Sequence, residues 1–176
     1  MTTKQMTNPA LLLKQAMRRM AASVSVVSTA DAAGRGYAMT ATAITSVSLE
    51  PPSLLVCVNQ QAGIYSALEQ GRPFCINILN AKQRTLAELC SQGPQTRDRF
   101  GIGQWRNSAS GIPYLADAQA NIFCINDKSL CYASHTIFIG RVEGITMHGE
   151  VSPLIYLDGT YMAVNTLQDT KQQTIL

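Results

Sequence analysis

Between Met39 and Asn59 the chain reads MTATAITSVSLEPPSLLVCVN. The first ten of these residues hold five hydroxyls, at Thr40, Thr42, Thr45, Ser46 and Ser48, and no charge. Such a row supplies neutral donors and acceptors beside a run apolar enough for a buried strand. That combination suits a ligand with a flat aromatic body and a polar, anionic tail. The plainer reading is ordinary strand composition, since threonine favours β-structure. Pattern alone leaves both readings open.

Other chemistries find little support. The chain has two histidines, His135 and His148. It has no His-Glu-x-x-His, no carboxylate-rich cluster and no Cys-x-x-Cys pair, so it offers no metal ligand set. It also lacks Gly-x-Ser-x-Gly and the phosphate loop Gly-x-x-x-x-Gly-Lys-Ser/Thr. Gly34-Arg35-Gly36 and Gly101-Ile102-Gly103 lack the third glycine of a dinucleotide fingerprint. His135 is the sharpest single candidate, because an imidazole titrates near neutral pH. Its plain alternative is a strand histidine satisfied by a carbonyl. His148 precedes a Gly-Glu turn and is assigned nothing. Trp105 either covers a pocket or anchors its loop. Arg97 and Arg99 either meet a phosphate or are solvated.

Composition narrows the class further. The 176 residues fit one domain with a single core. Hydrophobic residues make up 46% and charged residues 14%, so part of the surface is expected to be covered by a second subunit. The net charge of +3 is dispersed, which argues against nucleic acid or an anionic membrane as a main partner. The N-terminus carries no charged-then-apolar leader, and no apolar run is long enough to span a bilayer. The expected location is the cytoplasm. Five cysteines, an odd number with most inside apolar runs, read as reduced core residues.

The elements that would position the hydroxyl row follow from periodicity. Asn8-Pro9 opens an amphipathic helix through Leu12, Leu13, Ala16, Met17 and Met20. Ser23 to Thr29 is a strand, Asp31 to Gly36 a turn, and Tyr37 to Ser48 one returning strand. After Pro51-Pro52, Ser53 to Asn59 is apolar enough to be central. A short helix within Gln60 to Gly71, a strand at Phe74 to Leu79 and a helix at Lys82 to Cys90 come next. Ser91 to Pro113 reads as a long polar loop. Leu115 to Asn126 and Tyr132 to Met147 read as strands joined by a turn at Asp127-Lys128. Pro153 to Leu157, a turn at Asp158-Gly159 and a last strand from Tyr161 complete the chain. Alternating βαβ units are absent, so a closed or nearly closed antiparallel barrel with peripheral helices fits best.

Six segments in order carry a resemblance: Arg18 to Val24 (RRMAASV), Met39 to Asn59, Gly71 to Leu79 (GRPFCINIL), Asp98 to Phe100 (DRF), Ser134 to Val142 (SHTIFIGRV) and Pro153 to Tyr161 (PLIYLDGTY). The series resembles the flavin reductase family, the small reductase components of two-component flavin-dependent monooxygenases. The likeness runs from the first helix to Tyr161. It implies a mainly β fold with peripheral helices, a Greek-key split β-barrel of the FMN-binding type. One domain would span 9–165, between tails at 1–8 and 166–176. It also implies a homodimer, FMN or FAD bound near the interface, NADH or NADPH as electron donor, and a separate monooxygenase receiving reduced flavin.

Carried over by residue, the likeness lays Thr42, Ala43, Ile44 and Thr45 along the isoalloxazine ring, largely through backbone groups. Ser46 and Ser48 face the ribityl chain or phosphate. Cys57, Val58 and Asn59 end a strand at the flavin, and Gln60, Gly63, Ile64 and Tyr65 wrap its phosphate end. Phe100 covers the flavin or its tail. His135 stands on the nicotinamide side with Tyr156 and Tyr161. The loop after Asn59 departs from many relatives, having no Lys or Arg and no hydroxyl before Tyr65. Two alternatives sit beside this reading: a flavoprotein that keeps its FMN and acts on another substrate, and a non-catalytic flavin-binding module.

Overall fold

The computed structural model describes residues 8–93 and 98–164. Arg97 and the expected tails at 1–8 and 166–176, Asn8 apart, lie outside the described residues. The first helix, α1 (Pro9–Met17), starts as its sequence requires: the Asn8 side chain accepts from the Ala10 N–H, and Pro9 occupies the first helical position. None of its residues is buried. Two further helices, α2 (Tyr65–Glu69) and α3 (Arg84–Ser91), pack on the strands. Among the described residues no helix is long and apolar enough to cross a membrane.

Seven strands form one antiparallel sheet: β2 (Ser25–Ala30), β3 (Gly36–Ala41), β4 (Ile44–Leu49), β5 (Pro52–Asn59), β6 (Phe74–Ile78), β9 (Ala120–Tyr132) and β10 (His135–Met147). Their order is β3-β2-β6-β9-β10-β5-β4. The two end strands, β3 and β4, are joined by Thr42 and Ala43 alone. The strand ends Ala41 and Ile44 are therefore three Cα steps apart, at most about 11 Å, so the sheet must curl until its ends meet. The result is a barrel split at that seam, in agreement with the expected mainly β fold. A small sheet, β1 (Ala22–Ser23) with β11 (Leu154–Leu157) and β12 (Thr160–Ala163), lies beside the seam.

Three expectations are corrected. The single strand expected over Tyr37 to Ser48 is two strands at opposite ends of the sheet, broken at Thr42-Ala43. The hairpin turn expected at Asp127-Lys128 lies instead at Ala133-Ser134, with Ala133 at φ 49°. Asp127 is the extra residue of a bulge, where Lys128 pairs with Ile139 and Asn126 with Gly140. Polarity there reflects an exposed ladder end rather than a chain reversal. The expected loop from Ser91 to Pro113 contains β7 (Trp105–Asn107), hairpinned to β8 (Pro113–Leu115).

The barrel interior is filled by Val27, Leu54, Val56, Val58, Phe74 and Phe138 with their neighbours. A second core under α3 joins Val24, Val26, Leu79, Leu86 and Leu115. Between them Asn77 is fully buried and fully used. Its amide donates to the Val26 carbonyl and Ser28 Oγ, and its Oδ1 accepts from the Leu115 N–H and from Asn121. This pins the β7–β8 hairpin to the barrel. Cys75, Cys90 and Cys124 are buried and unpaired, and burial pushes the Cys90 and Cys124 thiols up to about 11 and about 12.

Candidate active site

Strand β5 alternates, with Leu54, Val56 and Val58 inward and Leu55, Cys57 and Asn59 outward. Strand β3 alternates too: Met39 and Ala41 pack in the barrel, while Ala38 and Thr40 face α3. The outward residues of β5 meet the seam Thr42-Ala43 at a cleft of about 570 Å³. Its floor is Thr42, Ala43, Ile44, Thr45, Leu55 and Cys57. The end of α1 forms a wall through Lys14, Met17, Arg18 and Met20, and Tyr156 with Gly159 forms another.

The seam carries unspent hydrogen-bonding capacity. The Ala43 carbonyl accepts from the Cys57 N–H at 3.1 Å. The N–H groups of Thr42 and Ala43 have no acceptor among the described residues. They lie outside the strand ladder, in an apolar cleft. A planar heterocycle with ring oxygens and nitrogens matches that setting: apolar surface for its faces and two backbone donors for its edge. The residues present therefore fit a flavin ring.

One clasp fixes the α1 wall. Arg18 Nε donates to Asp158 Oδ1 at 2.9 Å, Arg18 Nη2 donates to the Asp158 carbonyl at 3.0 Å, and the Asp158 N–H donates to the Arg18 carbonyl at 2.8 Å. Gly159 follows at φ 82°, and a Cβ there would stand 2.8 Å from Arg18 Nη2. Sequence reasoning missed this wall. The only signal was the Asp-Gly turn, and its partner lies 140 residues away.

Two smaller clefts lie nearby, one contiguous with the large cleft and the other sharing Thr40 and Ser91 with that smaller one. The contiguous one, about 420 Å³, shares Thr42, Tyr156 and Gly159 with the large cleft and adds Thr40, Arg84, Glu88, Ser91, Thr160 and Tyr161. The other, about 290 Å³, is bounded by Asn59, Gln61, Gly63, Ser91 and Arg99. Arg99 spends its guanidinium on the carbonyls of Ala38, Gln92 and Gly93, tying the loop to the barrel.

The predicted residues divide accordingly. Thr42, Ala43, Ile44, Thr45, Cys57 and Tyr156 share the first cleft, while Asn59 and Gly63 share the third. Tyr161 lines the second. Gln60 is exposed at the end of β5, and its N–H donates to the Ser134 carbonyl. Val58 and Ile64 have their side chains in the core. The Tyr65 hydroxyl bonds Glu69 and Thr136. Ser46 lies further along β4, and the Ser48 hydroxyl is engaged with both backbone groups of Glu50. Phe100 packs edge-on to Trp105 at 4.8 Å, beneath Gly36. The Trp105 indole donates to the Ile102 carbonyl, so it anchors its loop.

His135 is exposed at the hairpin end, 2.9 Å from Ser134 Oγ. Register sets it in one row with Tyr132 and Asn59, and sets Leu130, Ile137 and Cys57 in the next. A single chain does not bring it to Tyr156 and Tyr161, which sit edge-to-face at 5.1 Å on the small sheet.

Comparison with known proteins gives a consistent picture. The family described as "Flavin reductase like domain" matches residues 17–165. The reductase component of an FADH(2)-dependent resorcinol hydroxylase from Rhizobium sp. is 38% identical over 151 residues, covering 85% of this chain and 84% of that one. A flavin reductase (NADPH) from Lentzea aerocolonigenes is 41% identical over 135 residues, covering 76% and 77%. The solved structure of the Streptomyces globisporus C-1027 NADH:FAD oxidoreductase SgcE6 in complex with NAD and FAD fragments superposes at a TM-score of 0.83 with 26% identity. It covers 95% of this chain and 99% of that one.

Proposed function

We propose a reaction from one premise: this chain belongs to the flavin reductase like domain family. It is an NAD(P)H:flavin oxidoreductase that reduces FMN or FAD and releases the product to a separate oxygenase, as a hydroxylase's reductase component does. The observation that carries this is the seam. Two backbone donors with no acceptor among the described residues, beside an apolar floor, suit a flat heterocycle.

Flavin supplies the ring that takes up hydride from C4 of the reduced nicotinamide. The chain's part is to hold and to shield. Ile44, Leu55 and Cys57 give the ring an apolar surface, and the Thr42 and Ala43 N–H groups are the donors for its polar edge. Asn59 and Gly63 bound the cleft suited to the ribityl phosphate. Met17, Met20 and Tyr156 exclude water from the face where the nicotinamide stacks. Ser46, Ser48, Gln60 and Phe100 lie farther out in a single chain.

The protein acts as a homodimer in this reading. The outer face of β9, β10 and β5 runs apolar from Leu130 to Cys57, ending at the cleft. A second copy seated there completes the site and gives His135 a ligand to meet.

Nucleotide oxidation, followed by loss of nicotinamide absorbance with and without added FMN or FAD, is the test. The expected rate depends on added flavin and saturates with it. Equal rates without flavin would favour a protein that keeps its flavin. Flavin binding without oxidation would leave a carrier.

A further inference from the structure

The second cleft differs from the first in kind. It lies between α3 and the β11–β12 turn, opening into the first at Thr42, Tyr156 and Gly159. Its lining is charged and hydroxylated where the first is apolar. Arg84 Nε donates to Glu88 Oε1 at 2.8 Å, across one turn of α3. Ser91 Oγ donates to the Glu88 carbonyl at 2.7 Å, and Tyr156 and Tyr161 stand edge-to-face, side by side on the small-sheet wall of the cleft. Burial pushes the Tyr161 hydroxyl up, so it remains a protonated donor.

We propose that this cleft receives the adenylate half of the pyridine nucleotide, and that Glu88 makes NADH rather than NADPH the preferred donor. The inference rests on the reductase reading and extends it. A nucleotide whose nicotinamide stacks in the first cleft must lead its ribose, pyrophosphate and adenine out of it. The contiguous polar cleft offers tyrosine rings for the adenine and a carboxylate for the ribose hydroxyls. A carboxylate accepts from a free 2′-hydroxyl and repels a 2′-phosphate. Arg84 offsets that repulsion only in part, because its Nε is bonded to Glu88. The pair is half exposed, so solvent screening limits the preference.

The same chemistry would suit the adenylate of FAD, and the choice of acceptor separates the two sources. With FMN, which has no adenylate, Glu88→Gln is expected to raise the NADPH-to-NADH ratio of kcat/KM about fivefold, a size set by a screened single charge. Arg84→Gln is expected to lower the same ratio. Opposite shifts from neighbouring variants do not arise from general loss of fold. Calorimetry of flavin-free protein with ADP-ribose and its 2′-phosphate is expected to show the same order and the same response to Glu88→Gln. An unchanged donor ratio in both variants overturns the proposal. So does a Glu88→Gln effect confined to FAD against FMN, which would give the cleft to the flavin. If the native enzyme oxidises no nucleotide, the reductase reading fails, and the calorimetry alone decides the cleft.

Discussion

At the scale of single residues, the proposed flavin recognition at the seam belongs to backbone rather than to side chains. The Thr42 and Ala43 N–H groups have no acceptor among the described residues, whereas two of the hydroxyls are engaged elsewhere, Thr40 on the Ala87 carbonyl and Ser48 on Glu50. Thr42→Val keeps the backbone and the shape. It is expected to change flavin affinity by less than about threefold, the scale of one exposed, solvent-competed hydrogen bond. Cys57→Phe puts a ring on the cleft floor, pointing away from the core. It is expected to weaken flavin binding by about tenfold or more, with an unchanged melting temperature. Fluorescence titration of FMN measures both. Equal losses in the two variants would return recognition to the side chains. The backbone role of Thr42 and Ala43 was implied by the family resemblance and not by the hydroxyl row itself. Hydroxyl content is written in the sequence, whereas an unpaired N–H follows from where the ladder stops.

At the scale of elements, β5 was legible as an apolar strand, because such a run bounded by turn residues suits a buried strand. The hairpin end of β9–β10 was not. A polar Asp127-Lys128 pair resembles a turn, and only the register reveals a bulge inside a ladder that continues to Tyr132. The β7–β8 hairpin was hidden for another reason: its strands are three residues each, too short to show a period. Gly140 marks where β10 must pass closest to its neighbours. A Cβ there would stand 2.5 Å from Phe74 Cζ and 2.8 Å from Cys124 Cβ. The ring can swing, but a Cβ moves only with its backbone. Gly140→Ala is therefore expected to destabilise the barrel by about 2 kcal/mol, as overpacking does. Adding Phe74→Leu removes the ring clash, so the two changes are expected to be non-additive. Urea unfolding of the four species tests this, and strict additivity would show that the contact is not felt.

At the scale of the whole molecule, closure by two residues, a seam left open for a ligand and an apolar outer face belong together. Residues inside the barrel satisfy its core, so the outward Leu130 and Tyr132, 63% and 79% exposed, have no role in one chain. They stand one strand from Ile137 and His135, and two strands from Cys57 and Asn59. An exposed apolar row that runs into a cleft is what a second subunit covers. The low charged fraction of 14% points the same way. The proposed homodimer therefore forms through the end of the β9–β10 hairpin, and sedimentation at low micromolar protein is expected to give twice the chain mass. Leu130→Glu with Tyr132→Glu is expected to give a folded monomer, because both side chains lie outside the core. If the partner completes the site, that monomer loses nucleotide oxidation, and His135→Ala raises the nucleotide KM in the dimer without altering the monomer. A native chain that sediments as a monomer and still turns over would leave His135 a surface histidine and give the whole reaction to the cleft at the seam.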